Sequence, residues 1–324
     1  MSDNFKQCWS GRIDTEELAR DATRLHQVIK PYNKKSQGLV IIGFCSDEGV
    51  ARNKGRLGAK NAPAAIRKRL ANLPWNTQRA VFDWGDIHCV DNALERAQQQ
   101  QATAVADVLA QQSFPFILGG GHEVALGSWL GLMQYLEAQQ DGSAASKKQL
   151  PTIGIINFDA HFDLRKATNG GSSGTPFYQI AKLCEAKGYP FNYCCLGVSE
   201  IVNTAALFKR ADALKVSYRH DSEMQFGQLS QISTQLAEFM QRCDLLYLTI
   251  DLDVLPAWVA PGVSAPASHG VALEVLEPLI RQIKATGKLT LADIAEYNPK
   301  FDIDNRTASV AARLFYQIVK EANS

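Results

Sequence analysis

Thr152-Ile153-Gly154-Ile155-Ile156-Asn157-Phe158 runs directly into Asp159-Ala160-His161-Phe162-Asp163. The first seven residues are a short, almost continuous apolar run. Such a run predicts a strand covered on both faces, as in a parallel sheet. The polar pentad that follows carries Asp159, His161 and Asp163 at alternate positions, and side chains two apart on an extended backbone point to the same side. Two further segments repeat the arrangement. Gly119-Gly120-Gly121-His122-Glu123 follows the apolar run Phe114 to Leu118, and Asp251-Leu252-Asp253 follows Leu245 to Ile250.

Outward from these segments the chain alternates in character. Gly38 to Phe44, Ala80 to Trp84, Phe191 to Val198 and Lys288 to Ile294 read as further strands. Helical patterns span Thr15 to Lys30, Asn61 to Ala71, Ala93 to Gln112, Glu123 to Gln139, Pro176 to Ala186, Gln225 to Arg242, Ala272 to Thr286 and Arg306 to Glu321. Strands alternating with helices imply an α/β fold: a single three-layer α/β/α domain with a mainly parallel sheet, over residues 1–324 with a polar lead at 1–14. Asp141 to Leu150 reads as an exposed polar loop. Ligands of such folds bind beyond the carboxyl ends of the strands, where all three polar segments fall.

The totals remove several classes of function. A formal net charge of +1 gives no whole-molecule attraction to nucleic acid or membrane. The sequence has no apolar run long enough to span a bilayer and no secretory-type leader at its start. Seven irregularly placed cysteines, with Cys194 and Cys195 adjacent, argue against a disulfide framework and fit a reducing cytoplasm. Cys45 follows the first strand, and nothing in the neighbouring sequence marks it as an activated thiolate.

Four aspartates packed closely resist ionising unless a cation neutralises them. A lone Asp-x-His is more often a capped strand end than a ligand pair, but three such segments on strand ends change that balance. Two divalent ions carry four positive charges, which matches Asp159, Asp163, Asp251 and Asp253. Carboxylates and imidazoles without thiolate favour Mn²⁺, with zinc, iron, cobalt or nickel possible by affinity alone. Six ligands exceed the needs of one tetrahedral zinc.

GGGHE, DAHFD and TIDLDVLP, in this order, resemble the arginase/agmatinase (ureohydrolase) family of dimanganese enzymes. The resemblance implies two Mn²⁺ per subunit bridging a hydroxide. His122, Asp159, Asp163 and Asp251 would hold one ion, and Asp159, His161, Asp251 and Asp253 the other. It further implies that Glu296 pairs with the amidinium or guanidinium end of a small-molecule substrate, that Asp163 carries a proton to the leaving nitrogen, and that the chain forms a homo-oligomer.

Departures from the arginase pattern bear on the substrate. Arg165 stands where arginases carry an asparagine that helps hold the amino-acid carboxylate, and Ser173 stands where they carry a histidine. An arginine offers a two-pronged grip on a carboxylate. The loop Arg52-Asn53-Lys54-Gly55-Arg56 follows the first strand and offers a second carboxylate site, with Arg52 and Asn53 as its foremost candidates. Together with SSGTPF and NPKFDIDNRT, these features resemble the branch of the family that splits N-formimidoyl-L-glutamate into L-glutamate and formamide in histidine breakdown. The alternatives are a ureohydrolase acting on agmatine, guanidinobutyrate or arginine, a noncatalytic metal-binding scaffold, and a one-ion zinc deacetylase of related topology.

Overall fold

The computed structural model describes residues 3–140 and 150–320. In chain order its strands are β1 (Lys30–Pro31), β2 (Leu39–Cys45), β3 (Val81–His88), β4 (Phe114–Leu118), β5 (Ile153–Phe158), β6 (Asn192–Val198), β7 (Ser217–His220), β8 (Leu245–Asp251) and β9 (Leu289–Ala295). They form one nine-stranded sheet in the order β1-β3-β2-β4-β9-β8-β5-β6-β7, and every neighbouring pair is parallel.

The apolar runs are continuous because both sheet faces are covered. Along β2, Leu39 and Ile41 enter one apolar layer while Val40, Ile42 and Phe44 enter the other. β5 divides likewise, with Ile156 and Phe158 on one side and Ile153 and Ile155 on the other. Helices Ala62–Leu70, Leu229–Gln241, Leu273–Ala285 and Arg306–Val319 cover the first face; Leu94–Ala110, Val124–Gln140 and Pro176–Lys187 cover the second. Parallel neighbours require such crossovers, so the expected three-layer α/β/α architecture follows from the strand pattern. The strand order sets β4, β9, β8 and β5 side by side, although they are far apart in sequence. Their carboxyl ends deliver the glycine-histidine, Glu296, Asp251/Asp253 and Asp159–Asp163 segments to one place.

The structure corrects several local expectations. Thr15 to Lys30 is not one amphipathic helix: it holds two short turns, Ala19–Ala22 and Leu25–Val28, separated by extended backbone at Thr23 and Arg24. Its amides bond elsewhere, Leu25 N–H to Leu73 O and His26 N–H to Ala71 O. The short helix Glu48–Arg52, the helix Ala205–Ala213 and the edge strands β1 and β7 were not expected. Neither edge strand has the buried apolar run that marks the others. The loop expected at Asp141 to Leu150 lies, but for Leu150, outside the described residues.

The N-terminal lead is anchored to the sheet. A helix at Asp3–Cys8 leads to Trp9, which is buried and donates from Nε1 to Asp83 Oδ2 at 2.6 Å. Asp83 also accepts from Arg67 Nε at 3.0 Å and Nη2 at 2.9 Å, and the Arg67 side chain is only 2% exposed. Breaking a buried ion pair leaves an uncompensated charge, which costs about 3–5 kcal/mol. Arg67→Met is therefore expected to lower the unfolding free energy by about that amount. An unchanged urea midpoint and slope would show that the pair carries no such load.

Candidate active site

Three glycines carry the chain from β4 to His122 between neighbouring loops. A Cβ on Gly120 would lie 1.8 Å from Ser46 O, and one on Gly119 would lie 2.7 Å from Ile294 O, so no larger residue fits at the first position without backbone movement. The His122 ring is then fixed on two sides. Its Nε2 lies 2.9 Å from Thr249 Oγ1 on β8, and Phe177 meets it edge-on with centroids 5.4 Å apart. That leaves Nδ1 facing oxygens of Asp163 at 2.9 Å, Asp159 at 3.1 Å and Asp251 at 3.2 Å.

Buried His122 Nδ1 approaches three carboxylates yet makes no hydrogen bond with any of them. The four side chains aim at a common point rather than at one another, which is the geometry of ligands around an ion. Their ligand atoms all lie within 4.8 Å of one another, and a second group of Asp159, His161 and Asp253 meets the same limit. Asp159 belongs to both groups, so it is placed to bridge; Asp251 joins the first group only. His161 Nδ1 sits 3.0 Å from Asp253 Oδ2 and 3.6 Å from Asp159 Oδ1. The residues fit a pair of divalent cations: oxygen and imidazole donors, buried, with one shared carboxylate.

A surrounding set of bonds orients these donors. Asp159 Oδ2 accepts from Asn157 Nδ2 at 2.9 Å, and Oδ1 accepts from the His161 amide at 2.6 Å. Asp251 Oδ1 accepts from the Asp253 amide at 2.8 Å. Glu296 Oε1 accepts from the His122 amide at 2.9 Å, tying β9 to the ligand segment after β4. Asp163 and Glu296 have positive φ, 48° and 65°, a region uncommon for residues other than glycine.

Without cations the cluster is electrostatically frustrated. Burial, then the Asp159 charge, pushes the Asp163 carboxyl up to about 6. Burial and Asp253 hold Asp251 well above the usual carboxylate range. Burial and Glu123 push Glu296 up to about 8. Burial opposes the charged forms of both imidazoles, yet the carboxylates raise His122 and His161 well above the ordinary histidine value.

Beside the clusters is a cavity of about 310 Å³, lined by His161, Asp163, Asp251, Asp253 and Glu296 among others. Asn53, Lys54, Arg56, Arg165, Ser173, Val202, Asn203 and Leu207 form its other walls. The sequence candidates divide here. Asn53 and Ser173 meet at 3.3 Å and both line the cavity. Arg165 lines it with an exposed guanidinium in no hydrogen bond or ion pair among the described residues.

Arg52 is not among the lining residues. It bonds Glu48 at 2.9 Å, Glu95 at 2.6 Å and Gly171 O at 3.1 Å, joining the loop to a neighbouring helix and to the glycine segment. Arg56 reaches the cavity edge but donates to Ser264 O and Val263 O and stacks on Phe301. Lys54 lines the cavity with no charge partner among the described residues, and its φ is 62°. His269 is exposed and outside the lining. Thr249, Glu123 and Asn203 are not among the sequence candidates, yet they bond or face the site residues. Thr249 lies two residues before Asp251 on β8, so its spacing was the available signal.

The model of the arginase family matches residues 37–320, and the chain belongs to that family. It is 52% identical over 315 residues to formimidoylglutamase of Aeromonas hydrophila, covering 96% of each chain. It is 49% identical over 314 residues to formimidoylglutamase of Ralstonia nicotianae, covering 96% of this chain and 94% of that one. The crystal structure of Trypanosoma cruzi formiminoglutamase with Mn²⁺₂ superposes with a TM-score of 0.78 at 26% identity, covering 92% of this chain and 97% of that one.

The raised pKa values give the metal-free protein a definite pH response. Between the unfolded carboxylate range and the raised folded values, the folded state binds more protons than the unfolded one. Stability of the apoprotein therefore falls as pH rises through that window, toward about 6 for Asp163 and about 8 for Glu296. Cations replace the protons, so the gain in Tm on loading divalent ions is expected to widen from about pH 5 to about pH 8. Calorimetry of both forms checks this; a constant or shrinking gap would contradict it. Asp251→Ala and His161→Ala are each expected to lower retained metal, read by elemental analysis after dialysis.

Proposed function

We propose that this chain hydrolyses N-formimidoyl-L-glutamate to L-glutamate and formamide with two Mn²⁺ per subunit. The observation that carries the reading is the polarity of the cavity. Glu296 and four of the six candidate ligands, His161, Asp163, Asp251 and Asp253, line it, and so do Lys54 and Arg165, cations with no charge partner among the described residues. A substrate with an amidine at one end and carboxylates at the other matches that set of acids and cations. The formimidoylglutamase relatives support the same choice.

The ions, when bound, supply activation of water and neutralisation of charge on the reacting centre. The chain supplies the rest. Glu296, anchored through Oε1 to the His122 amide, presents its other oxygen to an amidinium N–H. Lys54 and Arg165 hold the carboxylates, while Asn53 and Ser173 offer hydrogen bonds and Val202 and Leu207 an apolar wall. Together these contacts fix the amidine carbon against the ligand cluster. Asp163 holds the proton taken from water and delivers it to the glutamate nitrogen as the bond from that nitrogen to the formimidoyl carbon breaks. Water contributes the oxygen of formamide, and the glutamate nitrogen leaves as the amine.

The histidine-breakdown context follows from that substrate. All seven cysteines are free, which supports a reducing cytoplasmic location. A homo-oligomer, which the resemblance to the arginase family implies, belongs to the same proposal.

Offered formimidoylglutamate, arginine, agmatine and guanidinobutyrate in parallel, the Mn²⁺-loaded protein is expected to release formamide from the first and no urea from the others. Urea release from agmatine at a comparable rate would reject the assignment. A charge-assisted hydrogen bond contributes about 1.5–3 kcal/mol, so Lys54→Ala or Arg165→Ala should raise KM about 10- to 100-fold with a smaller change in kcat. Steady-state kinetics reads the split, and an unchanged KM in both variants would remove the carboxylate grip.

A further inference from the structure

Outside the two catalytic clusters, β2 and β3 end side by side and bring a further set of ligating side chains together. Cys45 stands opposite His88, and Gly43 opposite Asp86, in the parallel register. A sulfur, a carboxylate oxygen and an imidazole nitrogen of Cys45, Asp86 and His88 all lie within 4.8 Å of one another. The register depends on a local irregularity: the pairing shifts by one residue between Ile41 and Ile42, where Gly85 takes φ 100°. Without that shift Cys45 would face Ile87, whose side chain lies on the opposite side of the sheet from Asp86 and His88.

We propose that Cys45, Asp86 and His88 form a separate binding site for a borderline divalent cation, best matched by Zn²⁺, with water completing a four-coordinate shell. The donor set is what separates this site from the catalytic clusters. Thiolate with imidazole and carboxylate suits zinc, whereas the catalytic groups offer no sulfur and suit a harder ion.

Three surrounding features prepare the site. Arg67 Nη1 holds Asp86 Oδ1 at 2.5 Å, fixing the carboxylate. Gly43 leaves room for that contact, since a Cβ there would lie 1.9 Å from Asp86 Oδ1. His88 is exposed, and its ring takes part in no hydrogen bond or ion pair among the described residues, so a nitrogen is free to ligate.

The charges also balance. Asp83, Asp86 and a Cys45 thiolate carry three negative charges; Arg67 and a dication carry three positive ones. In the ion-free protein, burial and then Asp86 push the Cys45 thiol up to about 12, so it is neutral. On binding, the S–H bond breaks, its electron pair forms the sulfur–metal bond and the proton passes to solvent. No oxidant or reductant takes part.

Cobalt(II) tests this, because a cobalt–thiolate bond gives a near-ultraviolet charge-transfer absorption that oxygen and imidazole ligands do not. Wild-type protein already loaded with Mn²⁺ is dialysed against Co²⁺ for the spectrum, and in parallel against Zn²⁺ for metal counting. The expected result is the thiolate absorption with Co²⁺ and one retained equivalent of Zn²⁺ beyond the two ions of the catalytic clusters. Cys45→Ser is expected to lose the absorption and the extra equivalent, and His88→Ala to lose at least the extra equivalent, with Mn²⁺ content and circular dichroism unchanged in both. Absence of the absorption from wild type, its persistence in Cys45→Ser, or an extra zinc that survives both substitutions would overturn the proposal.

Discussion

Carboxylates that are buried together repel one another, and the centre of this molecule is arranged around that constraint. Asp159 is fully buried, and Asp251 and Asp253 are nearly so, at the ends of strands that also form the floor of the core. Buried like charges of this kind must be neutralised by cations or protons. The sheet order makes the cluster possible by setting β4, β9, β8 and β5 next to one another. Around the ligands, neutral groups such as Asn157, Thr249 and backbone amides fix orientation without adding charge. The positive φ of Asp163 and Glu296 is strain held at the same place, where the proposed ions and substrate would offset it.

Much of this was legible in the sequence because the informative signals are local. A continuous apolar run such as Leu245 to Ile250 marks a buried strand, and two-residue spacing puts Asp251 and Asp253 on one side of it. The seven predicted strands all exist, with ends displaced by a few residues at most. Elements held together by contacts distant in sequence were not legible. Thr15 to Lys30 has a helical apolar pattern, yet its backbone bonds to residues 71–75 and breaks the helix at Thr23. The lead 1–14 reads as polar, yet Trp9 docks on Asp83, a partner 74 residues away.

The basic loop after β2 shows the same limit within the candidate site. Arg52, Lys54 and Arg56 are equivalent by composition, and sequence alone favoured Arg52 with Asn53. In the structure Arg52 and Arg56 fasten loops through acids and carbonyls that lie elsewhere in the chain. Lys54 has no such partner among the described residues and faces the cavity with Arg165. Which cation is left free depends on where Glu95, Val263 and Ser264 fold, and no spacing rule within the loop contains that information.

The central claim, that two cations share Asp159 between the His122 and His161 groups, is tested most directly by anomalous diffraction at the manganese absorption edge from crystals of the Mn²⁺-loaded protein. Two peaks about 3.5–4 Å apart, one bounded by His122 and Asp163 and the other by His161 and Asp253, are the expected result. A single peak, or peaks lying away from these side chains, would contradict it.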